Sequence, residues 1–149
     1  MNDKLCIKVK KLREDAILPV HGTQGSAGWD LCLAEDAVLE PFTIYKLPTG
    51  LSFEIPEGYY MDVRPRSGLS LKGFVLVNSP GTIDSDYRGE VFILARFIPI
   101  GIDDISLKLE KGSRVAQAIF LPYIQPEFDV VNNLSDTERG VGGFGHTGI

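Results

Sequence analysis

Asp84 and Asp86 stand two residues apart in the stretch NSPGTIDSDYRGEV (78–91), among turn residues and just before a strongly apolar run. In extended backbone both carboxylates would face the same side. One could then act as a general base while the other makes structural bonds. A metal pair is the competing reading, but D-x-D without further ligands falls far short of a calcium loop. In the same stretch Asn78 offers donor and acceptor in one group, which suits an amide-like ring edge. Tyr87 offers a flat face for a sugar or a base.

Three further polar stretches carry chemistry. RPRSGLSLKG (64–73) reads as one short helical turn, with Ser67 as its cap and Gly73 as its stop. Helix starts attract phosphate through free N–H groups, and Gly68 would let a ligand approach the backbone closely. The plainer reading is an ordinary capped turn, and no P-loop pattern is present. GSAGWDLCLAED (25–36) places the Asp30 carboxylate directly after a turn, beside Trp29, where the plainer reading is a turn aspartate with a core tryptophan. KGSRVAQAIF (111–120) sets Arg114 and Gln117 three apart in an apolar run. On a regular strand they point to opposite faces, so at least one is buried and needs partners.

The chain closes on RGVGGFGHTGI (139–149). Gly140, Gly142 and Gly145 match G-x-G-x-x-G, but a dinucleotide fingerprint needs a strand before it, a helix after it and a later acidic residue. Only four residues follow Gly145, so that reading fails. Neither His21 nor His146 sits at metal-ligand spacing, which disfavours zinc hydrolysis, and no deaminase zinc signature is present. The residues alone suggest a small anionic ligand held by Arg66, Ser67, Lys72 and Arg139, with Asp84 as base.

These groups need a scaffold, and the chain supplies strands. Runs at 5–12, 43–55, 59–63, 74–78, 90–98 and 114–124 are mostly alternating and rich in β-branched or aromatic residues. No segment sustains helical periodicity over ten residues. The expected fold is therefore all-β, a barrel or double-sheet sandwich with one short helix. At 149 residues one domain is expected, a β domain over 1–138 followed by a flexible glycine-rich lid over 139–149. KVKKLR (8–13) reads as a half-buried strand with solvated lysines rather than a basic patch. The net charge of −5 argues against a long nucleic acid, and no apolar run is long enough to span a membrane. The charged start lacks a signal-peptide core, and Cys6 and Cys32 give no disulfide framework. A cytoplasmic protein is expected, so the Asn133-Leu134-Ser135 sequon is accidental.

Five stretches in order, AGWDL (27–31), RSGLSLK (66–72), GTIDSDYRG (81–89), GSRVAQ (112–117) and RGVGGFGHTG (139–148), resemble the motifs of the trimeric dUTPase family. The resemblance spans nearly the whole chain. It implies a jelly-roll-like distorted double-sheet barrel assembled as a homotrimer with shared active sites. It further implies Mg²⁺-dependent hydrolysis of dUTP to dUMP and pyrophosphate, which limits uracil in DNA and supplies dUMP for dTMP synthesis. By position in the motifs, Asp84 activates water, Tyr87 excludes a 2′-hydroxyl, and Asn78 reads uracil beside the hairpin backbone of Gly81, Thr82, Ile83 and Asp84. Arg66, Ser67 and Gly68 would hold phosphates, and Gln117 would meet the phosphates or the metal's waters. Asp30 would meet the metal through water. Arg139, Phe144 and Thr147 would act from the closing tail.

Three residues depart from the commonest family pattern. His146 stands where serine is frequent, Trp29 where tyrosine or leucine is usual, and Ser113 where aspartate is frequent. A dCTP deaminase-type relative, or a regulatory nucleotide-binding module on the same fold, is the alternative function.

Overall fold

The computed structural model describes residues 4–148, so residues 1–3 of the expected domain and Ile149 of the tail lie outside it. Eleven strands and one helical turn follow in chain order: β1 (Lys8–Lys11), β2 (Val20–His21), β3 (Trp29–Cys32), β4 (Ala37–Leu39), β5 (Ile44–Glu54), β6 (Tyr59–Arg64), α1 (Ser67–Ser70), β7 (Phe74–Leu76), β8 (Gly81–Ile83), β9 (Glu90–Phe97), β10 (Leu107–Leu109) and β11 (Arg114–Pro122). They pair antiparallel into sheets ordered β1-β5-β9-β7, β10-β4 and β2-β3-β11-β6-β8. The all-β expectation with one short helix holds.

The core lies between the two larger sheets because alternation sends one side of each strand inward. In β9, Val91, Ile93, Ala95 and Phe97 are buried while the residues between them are half-buried. They meet Met61 and Val63 of β6 and Val115, Ala116 and Ala118 of β11 in one cluster. The long strand β5 carries a break in register between Pro48 and Ser52. Gly50 there has φ +69°, and its carbonyl accepts from the Leu12 amide at 2.8 Å. Thr49, fully buried, donates to the Val91 carbonyl at 2.6 Å, so the irregular backbone keeps its polar groups satisfied.

α1 corrects one expectation. Its cap position is Arg66 in extended backbone, with no side-chain capping bond, and Ser67 is the first helical residue. The stop is as expected, since Gly73 takes φ +81°, and a side chain there would strike the Ile98 carbonyl. Beyond β11, the stretch 124–136 forms no strand. Ile124, Phe128, Val130 and Leu134 expose about nine-tenths or more of their surface there.

Candidate functional site

β3, β11 and β6 lie side by side, and their register sets out the polar face of the five-stranded sheet. Asp30 pairs with Gln117, and Gln117 pairs with Arg64. One step further, Ile119 pairs with Asp62, and Asp62 with Thr82. Directly paired residues share a face, so Asp30, Gln117, Arg64, Asp62 and Thr82 all project to the same side. Asp62 is buried and is held by Arg64 through Nε at 3.2 Å and Nη2 at 2.8 Å.

A bulge between Arg114 and Ala116 overturns the expectation that Arg114 and Gln117 point to opposite faces. Val115 is the extra residue, and Val115 and Ala116 are both fully buried. The inserted residue re-aims Arg114 to the side of Gln117, as bulges beside functional sites do. There the Arg114 guanidinium reaches Asp30 Oδ2 from Nη1 at 3.4 Å. Arg66, carried just past β6, places Nε 2.8 Å from Asp30 Oδ1 and donates from Nη1 to the Arg114 carbonyl at 3.0 Å. Gln117 donates from Nε2 to the Pro65 carbonyl at 2.9 Å, which ties β11 to the loop that carries Arg66. Gly28 makes room for it, because a Cβ at position 28 would collide with the Gln117 carboxamide.

This cluster holds two guanidiniums and one carboxylate, a net single positive charge suited to phosphate oxygens. It does not fit an inner-sphere metal. Both Asp30 oxygens face arginines, and among the described residues no group of three or more His, Cys, Asp or Glu is placed to hold a metal. Cys32 lies under the cluster, where burial pushes its thiol pKa up and the Asp30 charge adds to the rise. Trp29 is not a core residue. It is 40% exposed and stacks on His21 with ring centroids 4.3 Å apart. The His21 ring in turn donates from Nε2 to the Ser26 carbonyl at 2.7 Å.

Gly68 sits in α1 with no positive φ, and a Cβ there would meet nothing within 4 Å. The fold of this chain does not itself demand glycine at that position.

Asp84 lies elsewhere. The hairpin after β8 turns at once, with the Tyr87 amide donating to the Asp84 carbonyl at 3.2 Å, so Asp84 and Asp86 are not two residues of one extended strand. Both still line one cleft of about 810 Å³, together with Thr82, Glu57, Tyr60 and Tyr123. The tyrosines meet edge to face at 6.4 Å. Glu57, Tyr60 and Tyr123 come from other turns and strands, and nothing in their sequence neighbourhood singles them out. Arg88, also on the cleft, donates to the Ser85 carbonyl at 2.7 Å.

Asn78, Ile83 and Tyr87 do not line that cleft. Ile83 packs partly against the core, leaving its backbone rather than its side chain for recognition. Asn78 is exposed and lies beside Gly81, where an added Cβ would come within 3.2 Å of its Nδ2. The Tyr87 hydroxyl donates to the Glu90 carbonyl at 2.9 Å, over a glycine at 89 whose Cβ would strike it.

Register also measures the separation. Met61 stands opposite Ile83, the last residue of β8, so Asp84 follows at the Tyr60 end of β6. Arg66 is six extended residues further along, which is roughly 20 Å. The tail is a third part. Among the described residues, 137–148 form turns whose hydrogen bonds are internal, such as Arg139 Nε to the Gly142 carbonyl at 2.9 Å. Phe144 is fully exposed, at φ +52°, and Thr147 lies among the tail's own residues.

Comparison with known proteins adds an independent finding. The family model described as dUTPase matches residues 14–148. A deoxyuridine 5'-triphosphate nucleotidohydrolase of Nautilia profundicola is 46% identical over 143 residues, covering 95% of this chain and 98% of that protein. One from Treponema denticola is 50% identical over 142 residues, covering 93% and 96%. Among solved structures, a mutant dUTPase of Staphylococcus bacteriophage 80alpha with dUpNHpp aligns with a TM-score of 0.86 at 30% identity, covering 97% of this chain and 99% of that one. A mutant dUTPase of phage phi11 of S. aureus, described with a structural Mg(II) ion, aligns at 0.78 and 28% identity, covering 86% and 97%.

Proposed function

This chain belongs to the dUTPase family, and from that premise we propose that it hydrolyses dUTP to dUMP and pyrophosphate with its work divided among three surfaces. Asp84 accepts the proton of the water that attacks the α-phosphate. Tyr87 packs on the deoxyribose, and Asn78 with the backbone of Gly81, Thr82, Ile83 and Asp84 reads uracil. Arg66, Ser67 and Gly68 hold phosphate oxygens, and Gln117 keeps that loop in place while facing them. The tail closes from above, bringing Arg139 and Thr147 to phosphates and Phe144 to the base.

The observation that carries the division is the distance between Asp84 and Arg66. A base must lie within hydrogen-bond reach of its water, and that water within about 3.5 Å of phosphorus. Roughly 20 Å of strand cannot be bridged that way within one copy. We therefore infer a homotrimer in which the Asp84 hairpin of one copy faces the Arg66 cluster of another. Bare apolar residues support association: Ile124, Phe128, Val130 and Leu134 need cover. An apolar groove of about 670 Å³ lined by Leu5, Ile7, Val9, Trp29 and Phe120 offers it.

Magnesium, brought with the triphosphate, would supply positive charge to offset that of the departing pyrophosphate. Asp30, whose two oxygens lie against arginines, would be the residue nearest to it, acting through a water. No helix among the described residues is long and apolar enough to cross a membrane, and a cytoplasmic setting fits a nucleotide substrate.

The test is pyrophosphate release from dUTP, dCTP, dTTP and UTP, with and without magnesium, by wild type and Asp84→Asn. dUTP should be strongly preferred, with magnesium required. Asp84→Asn should lose about 10²- to 10⁴-fold in turnover while still binding nucleotide. Near-normal release by the variant would remove Asp84 as base, and equal turnover of UTP would remove the sugar role of Tyr87.

A further inference from the structure

We propose that Arg114 is a positioning residue of this reaction, acting through Asp30 on the guanidinium of Arg66. The inference rests on the reading of the site as a dUTP diphosphatase and adds a residue to it.

Arg66 has five N–H donors in a rigid fork. Nε lies 2.8 Å from Asp30 Oδ1 as an ion pair, and one N–H of Nη1 goes to the Arg114 carbonyl at 3.0 Å. Three donors remain along the free edge, in the arrangement that grips two phosphate oxygens at once. The orientation of that edge is only as fixed as Asp30. The Asp30 side chain is 14% exposed and has no partner of its own on β3, so its second oxygen would swing unless a donor met it. Arg114 Nη1 supplies that donor, at 3.4 Å, from the bulged end of β11.

Charge gives the second reason. Asp30 alone beside Arg66 would cancel its charge and leave a neutral pair to receive a polyanion. The Arg114 guanidinium restores one net positive charge to the cluster, close to where oxygen charge builds up as pyrophosphate departs. The bulge makes this arrangement available. Without Val115 as the extra residue, the Arg114 side chain would leave this face of the sheet. A surface ion pair serving only the fold would not need the strand to be broken in this way.

The test is a double-mutant cycle on the full-length protein, reading kcat and KM for dUTP and the thermal unfolding midpoint. The single variants are Arg114→Gln, Arg114→Lys and Asp30→Asn, with Arg114→Gln also made in the Asp30→Asn background. Arg114→Gln should lower kcat/KM about tenfold, the worth of one charge-assisted hydrogen bond. Arg114→Lys should recover more than half of that loss. In the Asp30→Asn background Arg114→Gln should cost about twofold or less, because the residue through which it acts has been altered. The same tenfold cost in both backgrounds overturns the route through Asp30. An unchanged kcat/KM, or a loss that merely follows a fall in unfolding midpoint and is equal for Gln and Lys, overturns the positioning role. Should Arg114→Gln fail to fold, Arg114→Lys in the two backgrounds gives the same comparison. Wild-type turnover of dUTP is the separate control: its absence would sink the parent reading, whereas its presence with an indifferent Arg114 sinks this inference alone.

Discussion

Asp30 was legible in the sequence as a carboxylate after a turn, but its partners were not. It meets Arg66 from 36 positions away and Arg114 from 84 positions away, and no local pattern carries such a pairing. Gln117 is a similar case, since its reason for being polar is the Pro65 carbonyl in the loop after β6. That contact gives Gly28 a role that is readable only in three dimensions. Gly28→Ala should push the Gln117 carboxamide off Pro65 at about 1–3 kcal/mol of overpacking, and shift the loop that carries Arg66. Differential scanning calorimetry should show the lowered midpoint, and dUTP kinetics a raised KM; an unchanged KM would mean that Gln117 does not set the loop. Cysteine chemistry gives a simpler check. Cys6 is exposed and Cys32 is buried, with its thiol pKa raised by that burial. Native protein should therefore take up one equivalent of iodoacetamide and denatured protein two, as mass spectrometry would read directly.

Long strands announced themselves, as did the short β1 and β7 inside the runs 5–12 and 74–78, while the other short ones did not. The run 43–55 contains β5 (Ile44–Glu54), and 90–98 contains β9 (Glu90–Phe97), because their length outlasts local noise, although only β9 alternates throughout. β2, β3, β4, β8 and β10 have two to four residues each. Outside any longer strand-like run, a stretch of that length contains too little alternation to recognise, and tertiary pairing makes it a strand. The bulge at Arg114 was hidden for a related reason, since a break in register belongs to a pair of strands and not to one. Ser67 misled as a cap because serine favours that position statistically, while here the backbone bends one residue earlier. For the tail, the glycines suggest a lid, and that role is a proposal which deletion tests. Its described residues bond only among themselves, so its removal should leave the body untouched. Deletion of 139–149 should preserve the unfolding midpoint and oligomeric mass yet abolish dUTP turnover. Normal hydrolysis by the truncated protein would end the lid reading.

At the scale of the whole molecule, the proposed base Asp84 and the proposed phosphate-binding Arg66 stand roughly 20 Å of strand apart within one copy. The Asp84 cleft is rich in carboxylates, with Glu57 and Asp86 beside the base and Arg88 turned onto the backbone. A triphosphate would be repelled there unless cations arrived from outside. The cations are at the far end of the same face, around Asp30, and the hydrogen bonds of the tail's described residues reach neither group. In the proposed trimer a single rotation would solve this, each copy giving its hairpin to one neighbour's arginines and receiving the other neighbour's hairpin at its own. The consequence is complementation. Asp84→Asn and Arg66→Ala should each be inactive alone. Mixed one to one and allowed to exchange subunits, a site becomes intact when an Arg66→Ala copy supplies Asp84 and an Asp84→Asn copy supplies Arg66. With random assembly that occurs at about one site in four, so about a quarter of wild-type turnover should return. If both residues served one site from the same chain, every site in every mixture would carry a defect and the mixture would stay as inactive as its components. Light scattering on the mixture must show trimers for the comparison to bind.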